Sequence, residues 1–232
     1  MRSIQAIFFK QVRDVLRNKL VLIQFIIMPA VAFIMTELVA KADPTIPDGM
    51  FVAMFAPMFA GMTLLTATAG AIAEDIERKS LRLLVMAGVK PHAYLLGVGG
   101  VFLLAGAAGA LVFGLMGRFE PMALLKFVAA LLLGSAASAV LGAAIGIVSK
   151  NQQAAVALGM PVAMVLAFGP MITMFNETVK KIFGVLYTQQ ISIVVNDPAG
   201  DFGRPLLIML ANIAVLAALF ALAYKKKGLR NR

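Results

Sequence analysis

Six long runs of uncharged or nearly uncharged residues constrain this chain more than any other feature of its sequence. They cover residues 20–40, 50–73, 94–117, 127–149, 154–175 and 205–224. About 20 residues of helix cross a hydrocarbon layer of about 30 Å. The runs lack the alternation of barrel strands and are too long for them, whereas a helix satisfies its own backbone polar groups in lipid. The pattern predicts an all-α integral membrane protein with six transmembrane helices.

Composition excludes a water-soluble alternative. Hydrophobic residues make up 61% of the chain and charged residues 14%, whereas soluble domains are about 45–50% apolar and about 25% charged. One globular core could not hide that much apolar surface, so the chain belongs in a lipid bilayer.

The loop charges predict the orientation of the chain. If both termini are cytoplasmic, most of the 21 Lys and Arg residues fall in cytoplasmic segments and most of the 11 acidic residues in external ones. Cytoplasmic loops of membrane proteins collect basic residues in this way. The net charge of +10 then needs no nucleic-acid partner, and we expect none.

Two segments outside the runs have an amphipathic pattern. Residues 1–19 place Ile7, Val15 and other apolar side chains opposite Arg13 and Arg17 at helical spacing, which predicts an N-terminal helix lying in the membrane interface. Residues 176–203 form a long, largely apolar external segment. We expect it to re-enter the membrane or to act as an extracellular gate.

The segment of residues 74–91, EDIERKSLRLLVMAGVKP, is the most informative part of the sequence. Ser80 is a suitable N-cap and Gly88 a suitable helix stop, so a helix of barely two turns is expected between them. Such a short helix is marginal alone in water. Its leucines could lie on lipid headgroups or dock into a groove of a soluble partner, and the residues themselves leave both interpretations open.

The chain lacks the residues of several functional classes. It contains no phosphate-binding Gly-x-x-x-x-Gly-Lys loop, no cysteine and a single histidine, His92, so we predict no ATPase activity, no cofactor and no metal site. The sequence shows no nucleophile and base at a spacing that would indicate an enzyme. No charge lies at the centre of a run, which disfavours a carrier driven by protons or ions.

The pathway through the membrane has only weak sequence signals. The fifth run carries Gly159, Pro161, Gly169 and Pro170, so we expect it to be broken or bent near its outer half. The candidate pathway residues are three threonines within the runs and two large apolar residues of the fifth run: Thr63, Thr66, Thr173, Met164 and Phe168.

Two stretches carry a resemblance to a known family. Residues 74–84, EDIERKSLRLL, together with Gly88-Val89-Lys90-Pro91, form an acidic and basic run, a small hydroxyl residue, a leucine-containing helix and a proline exit. Residues 141–155, LGAAIGIVSKNQQAA, leave the fourth run through a polar turn. With these two stretches in this order along its sequence, the chain resembles the type 2 permease subunits of ABC exporters, also called the ABC-two family.

This resemblance implies a mechanism. Two permease chains would form the pathway, and two copies of a separate ATPase, which binds ATP and Mg, would dock beneath them. Residues 74–91 would form the coupling helix. Its docking residues would be Glu74, Glu77, Arg78, Ser80, Leu81, Arg82, Leu83, Leu84, Gly88 and Val89.

The expected function is that of the permease subunit of an ATP-driven exporter for a hydrophobic or amphipathic substrate, such as a small peptide or a drug-like molecule. The expected location is the cell membrane, as in a bacterial inner membrane. Two alternatives stay open: an exporter of polysaccharide or lipid-linked cargo, and an ATP-independent carrier or channel.

Overall fold

The computed structural model describes residues 2–47, 49–173 and 175–230, and this part of the chain is helical throughout, with short turns between the helices. The helices are α1 (Arg2–Arg17), α2 (Lys19–Met35), α3 (Met50–Met58), α4 (Leu65–Glu77), α5 (Ser80–Met86), α6 (Pro91–Met116), α7 (Pro121–Val148), α8 (Gln152–Thr173), α9 (Glu177–Phe183), α10 (Tyr187–Asn196) and α11 (Gly203–Arg230). Two π-helical stretches occur, at Thr36–Ala40 after α2 and at Phe59–Leu64 between α3 and α4.

Six of the helical stretches are long and apolar enough to cross a membrane. They are Lys19–Ala40, Met50–Glu77, His92–Met116, Pro121–Val148, Gln152–Thr173 and Gly203–Lys225. They coincide with the six apolar runs, so the prediction of six spanning helices is confirmed at the level of length and composition. The second is the most enclosed by protein, while the first and the sixth are the most exposed.

The second span is not a regular helix. Its π-helical turn follows Pro57, which lacks a backbone N–H and clashes with the carbonyl four residues earlier. Within that turn, a methyl group on Gly61 would lie 3.1 Å from the Leu166 backbone and 3.0 Å from Thr188. Glycine therefore lets α8 and α10 approach the second span at its irregular turn.

The fifth span departs from the sequence expectation. Although Pro161 and Pro170 lie inside it, α8 is one uninterrupted helix from Gln152 to Thr173. Of the two forms expected for this span, broken or bent, the break is therefore wrong, and the bend stays a prediction. The irregular backbone lies in the first and second spans instead, where the π-helical stretches occur.

Helix α7 packs against the second span through glycine. A methyl group on Gly146 would lie 2.6 Å from the carbonyl oxygen of Ala69, and one on Gly142 would overlap the carbonyl oxygen of Leu65. Small residues allow helix backbones to approach closely in this way. Gly142 and Gly146, four residues apart on α7, thus form a packing site between α4 and α7.

The position of α1 differs from the expected one. Its apolar side does not lie free for the membrane interface, because Ile7 and Val15 are buried within the hydrophobic core. Ile7 contacts α6 at Gly97, and Phe8 contacts it at Gly100. Phe9 and Leu16 are the large apolar side chains of α1 that stay exposed. The helix is amphipathic as predicted, but its apolar face is covered mainly by protein.

Segment 176–203 contains one exposed and one buried helix. The side chains of α9 are largely exposed, whereas most of α10 is buried among α3, α7, α8 and α11. The turn before α11 is held by Lys126, whose Nζ donates to the carbonyls of Pro198 at 3.1 Å and Gly200 at 2.9 Å. Within this segment, α10 is therefore part of the helical core, while α9 lies at its surface.

Candidate functional site

Segment 74–91 folds into a tight turn, a short helix and a second turn. Helix α4 ends at Glu77, and Lys79 has a positive φ of 59°. Helix α5 then runs from Ser80 to Met86. Gly88 has a φ of 77°, and the N–H of Val89 donates to the carbonyl of Leu84 at 3.0 Å. This is the left-handed glycine termination that the sequence indicates.

Among the described residues of this segment, the larger apolar side chains divide into two groups. Leu81, Leu84 and Val89 are partly buried and pack against the hydrophobic core of the chain. Leu83 and Met86 are 63% and 71% exposed, and their spacing of three residues places them on one face of α5. We call these two residues the Leu83–Met86 surface; it is apolar and unoccupied by the rest of the described chain.

A buried carboxylate supports α5 from beneath. Asp75, at 3% exposure, is the last buried residue of α4. It accepts a hydrogen bond from Lys10 of α1, another from the Ser80 hydroxyl at 2.8 Å, and a third from the Tyr94 hydroxyl at 2.9 Å. Four helices therefore meet at one side chain: α1, α4, α5 and α6.

Lys10 supplies the charge that this buried carboxylate needs. An unpaired charge in the interior is costly, whereas a paired and hydrogen-bonded one is tolerated. Lys10 is partly buried, which by itself lowers its pKa, but the hydrogen bond to Asp75 and the charges of Asp75 and Asp14 outweigh this effect. The pKa of Lys10 is therefore raised above its usual value, and the ammonium persists at neutral pH.

Sequence reasoning missed Asp75. It lies within the run EDIE, which reads as a solvated acidic stretch. The available signal is its register, because Asp75 follows Thr68 and Ile72 at helical spacing, and both of these residues are fully buried. The sequence predicts Ser80 as a helix N-cap and a docking residue. In the structure, its hydroxyl lies instead within hydrogen-bond distance of Asp75 Oδ1 and of the Asp75 carbonyl oxygen.

The other predicted charges of the segment are engaged within the chain. Arg78 pairs with Glu74 one helical turn away at 2.6 Å. The carboxylate of Glu77 accepts a hydrogen bond from the backbone N–H of Gln152, at the start of α8, at 3.2 Å. The side chain of Arg82, also predicted to take part in docking, lies outside the described residues.

A cleft opens beside this segment. It has a volume of about 700 Å³ and is bounded by α1, α2, α4 and α8; we call it the α2–α8 cleft. Its lining combines amide and hydroxyl groups, apolar side chains and charges, including Gln11, Arg17, Gln24, Thr66, Arg78 and Met160. This mixed lining suits a molecule that has both apolar and hydrogen-bonding parts.

The candidate pathway residues fall into separate places. Thr66 lines the α2–α8 cleft and accepts a hydrogen bond from the Gln24 amide. The Thr63 hydroxyl lies 3.5 Å from the Gln24 carbonyl oxygen, so Thr63 and Thr66 share one partner. Met164 and Phe168 are exposed on α8, 51% and 37% respectively.

Thr173 belongs to a second polar region, around α10. Its hydroxyl lies 3.0 Å from the side-chain oxygen of Gln189. Nearby, the buried hydroxyl of Tyr187 on α10 forms a hydrogen bond of 2.7 Å with the buried hydroxyl of Ser138 on α7. Thr188 is also buried, and its hydroxyl has no hydrogen-bond partner among the described residues. The structure thus does not bring the five candidate residues to one surface.

The acidic groups of this site do not form a metal centre. Among the described residues, no group of three or more His, Cys, Asp or Glu side chains could hold a metal ion. Asp75 is saturated by protein donors.

The helical architecture defines a multi-pass membrane protein, with a short helix between its second and third spans and a cleft beside that helix, bounded by α1, α2, α4 and α8. Comparison with family models then identifies the group: the model described as ABC-2 family transporter protein matches residues 21–224. The chain belongs to this family, and it is an ABC-2 type permease domain. Membrane domains of this family are typically non-catalytic and pair with an ABC ATPase. A comparison with curated proteins gives no match.

Proposed function

We propose that this chain is the permease subunit of an ATP-driven exporter and that residues 74–91 are its contact with the ATPase. The observation that carries the proposal is the Leu83–Met86 surface. Two large apolar side chains of α5 are exposed, while Leu81 and Leu84 of the same helix pack against the core. An exposed apolar pair on a supported helix fits docking into a hydrophobic groove.

The charged residues refine this contact. Glu74, which is partly buried, and the exposed Arg78 form an ion pair at the end of α4, and Glu77 links the segment to α8. In the proposal, Arg78 and Arg82 orient the ATPase by charge, while Leu83 and Met86 contribute the apolar burial. Ser80, Leu81, Leu84, Gly88 and Val89 hold the shape of the segment instead of touching the partner.

We assign the membrane topology with both termini in the cytoplasm. This orientation places residues 1–19, the 74–91 segment and the mouth of the α2–α8 cleft on the ATPase side, and residues 176–203 outside. The basic residues Arg17, Lys19 and Arg78 at the cleft agree with the preference of cytoplasmic segments for positive charge. Segment 176–203, which is largely integrated in the core, would form the extracellular gate.

The transport pathway in this proposal is the α2–α8 cleft completed by a second permease chain. Leu20 and Val21 of α2 and Val156 and Met160 of α8 line it, and both helices carry further exposed apolar residues, including Ile23, Ile27, Met164 and Phe168. Because the lining mixes amide, hydroxyl, charged and apolar groups, the expected cargo is hydrophobic or amphipathic, such as a small peptide or a drug-like molecule.

The experiment that tests the docking assignment compares Leu83→Asp, Leu84→Asp and Ile182→Asp by co-purification with the ATPase from native membranes. Burying one leucine contributes about 1.5–3 kcal/mol, so Leu83→Asp should weaken ATPase binding at least about tenfold with an unchanged melting temperature. Ile182 is equally exposed, at 66%, but lies on α9, and its variant should bind normally.

The Leu84→Asp variant separates docking from folding. Leu84 packs against the core, so this variant should lower the melting temperature as well as ATPase binding. Wild-type recovery of the ATPase with Leu83→Asp would remove the docking assignment, and a wild-type preparation without any ATPase would remove the exporter proposal.

A further inference from the structure

The hydrogen bonds at Asp75 connect two elements that are far apart in the chain. Lys10 of α1 lies 65 residues before Asp75, and Ser80 is the first residue of α5. Both donate to the same carboxylate oxygen, Oδ1, while Tyr94 occupies Oδ2. Among the described hydrogen bonds, the link between α1 and α5 therefore passes through one carboxylate oxygen.

The geometry makes this connection stiff. Asp75 is buried at the last turn of α4, so its own movement is limited. The carboxylate uses both of its oxygens, and the partner on α1 is charged. A displacement of Ser80 acts on the oxygen that Lys10 holds, because charge-assisted hydrogen bonds are short and directional.

The rest of α1 is held by apolar contacts, so it can move together with Lys10. Its apolar face packs on α6 at Gly97 and Gly100, where the contact is made by Ile7 and Phe8 without hydrogen bonds between side chains in the described residues. These apolar contacts hold α1 on α6, whereas the Lys10–Asp75 pair links α1 to the end of α4 and, through Ser80, to α5. Among the described contacts, Lys10 is the residue of α1 that ion-pairs with another helix.

We propose that Asp75 is a positioning residue that makes α1 part of the coupling apparatus: when the ATPase moves α5, Asp75 transmits the movement to α1. Because Arg17 and Gln11 of α1 line the α2–α8 cleft, the movement of α1 changes the mouth of that cleft. The inference rests on the proposed function of α5 for its driving force, but the connection itself belongs to the permease alone.

The chain contains no cysteine, so spin labels can be placed by single cysteine substitutions without background. One label pair, at Phe9 and Ala87, reports the distance between α1 and the end of α5 in the purified permease. Two further pairs, Phe9 with Leu125 and Ala87 with Leu125, report the movement of α1 and α5 relative to α7. Phe9 and Leu125 are 69% and 63% exposed, so labels there replace mostly exposed side chains, and the Phe9 label removes one edge contact with the Phe8 ring.

In the permease alone, Asp75→Asn should broaden the distribution of Phe9–Ala87 distances. In the complex with its ATPase, a non-hydrolysable ATP analogue should shift both Leu125 distances in the wild type. In Asp75→Asn, the Ala87–Leu125 shift should persist while the Phe9–Leu125 shift is lost. A role confined to stability would lower the melting temperature and leave this pattern intact.

Two further variants keep the test decisive. Ser80→Ala removes the α5 contact while leaving the buried ion pair, so it should also uncouple α1 if Asp75→Asn does not fold. Asp14→Asn is the matched control, because Asp14 also lies 3.4 Å from Lys10 but is on α1 itself, and it should behave as wild type.

The outcomes distinguish the two proposals. An unchanged Phe9–Ala87 distribution in both Asp75→Asn and Ser80→Ala overturns the inference whatever the ATPase does. A nucleotide-induced shift of the Phe9–Leu125 distance that persists in these variants also overturns the inference. The proposed function is overturned if the ATPase does not bind the wild type or if the Ala87–Leu125 distance does not change with nucleotide. The inference then loses its driving force.

Discussion

Ile7 of α1 and Gly97 of α6 are in such close contact that a methyl group on Gly97 would lie 2.7 Å from Ile7 Cγ2. This contact seats the N-terminal helix on the third span. It also shows why a helix with a strongly amphipathic sequence need not lie on the bilayer, since a glycine face of the protein can cover the same apolar side chains.

The first prediction concerns this seat. Gly97→Ala should destabilise the protein by about 1–3 kcal/mol, the usual cost of overpacking, although alanine favours helices more than glycine does. Gly99→Ala, on the same helix, meets nothing within 4 Å and should be neutral or stabilising. Thermal unfolding of both variants in one detergent measures the difference, and equal melting temperatures would contradict the packing of α1.

The second prediction concerns the buried hydrogen bond between Ser138 and Tyr187. Ser138→Ala and Tyr187→Phe each leave one buried hydroxyl unpaired, which should cost about 1–3 kcal/mol. The double variant should cost less than the sum of the two, because neither hydroxyl is then left alone. Ser135→Ala is the control, since the Ser135 hydroxyl contacts the Leu131 carbonyl of its own helix. Additive effects would show that α10 is not seated on α7 as described.

The third prediction concerns topology. Lys150 and Lys180 are both exposed and lie on opposite sides of the membrane in the proposed orientation. In the cysteine-free chain, a membrane-impermeant maleimide should label Lys180→Cys in intact cells and Lys150→Cys only after the membrane is permeabilised. Reversed labelling would place the 74–91 segment outside and would exclude its proposed contact with an ATPase.

The fourth prediction concerns pH. Because the folded state raises the pKa of Lys10 above its ordinary value of 10.5, the ion pair with Asp75 contributes its full stability below that value. The contribution is lost as the pH rises through the higher pKa of the folded state. The melting temperature of wild type should therefore fall more steeply above pH 10.5 than that of Lys10→Gln. Parallel curves would show that Lys10 does not stabilise the fold through its charge.

Much of the fold could be predicted from local sequence. The helical stop at Gly88 follows from glycine tolerating a positive φ, and the six spans follow from the length of apolar runs in a solvent that cannot hydrogen-bond to the backbone. Predicting a break at Pro161 and Pro170 failed because α8 accommodates both prolines within one helix. In the second span, the irregular turn follows Pro57.

The site was less accessible to sequence reasoning than the fold. Leu81, Leu83 and Leu84 are alike in type, and only packing separates the exposed Leu83 from Leu81 and Leu84, which are partly buried. In the same way, Asp75 differs from Glu74 and Glu77 only in facing inward toward α1 and α6. Which side of a short helix is covered depends on neighbours distant in sequence.

By itself, the sequence determined that this protein is a bundle of six apolar helices with a charged helical turn after the second, because hydrophobic length and turn residues act locally. Only the tertiary structure decided that α1 packs on α6, that Asp75 joins four helices, and that Leu83 and Met86 remain free. These features depend on contacts between residues far apart in the chain, such as Lys10 and Asp75. The free energy of these contacts is gained only when the helices pack together.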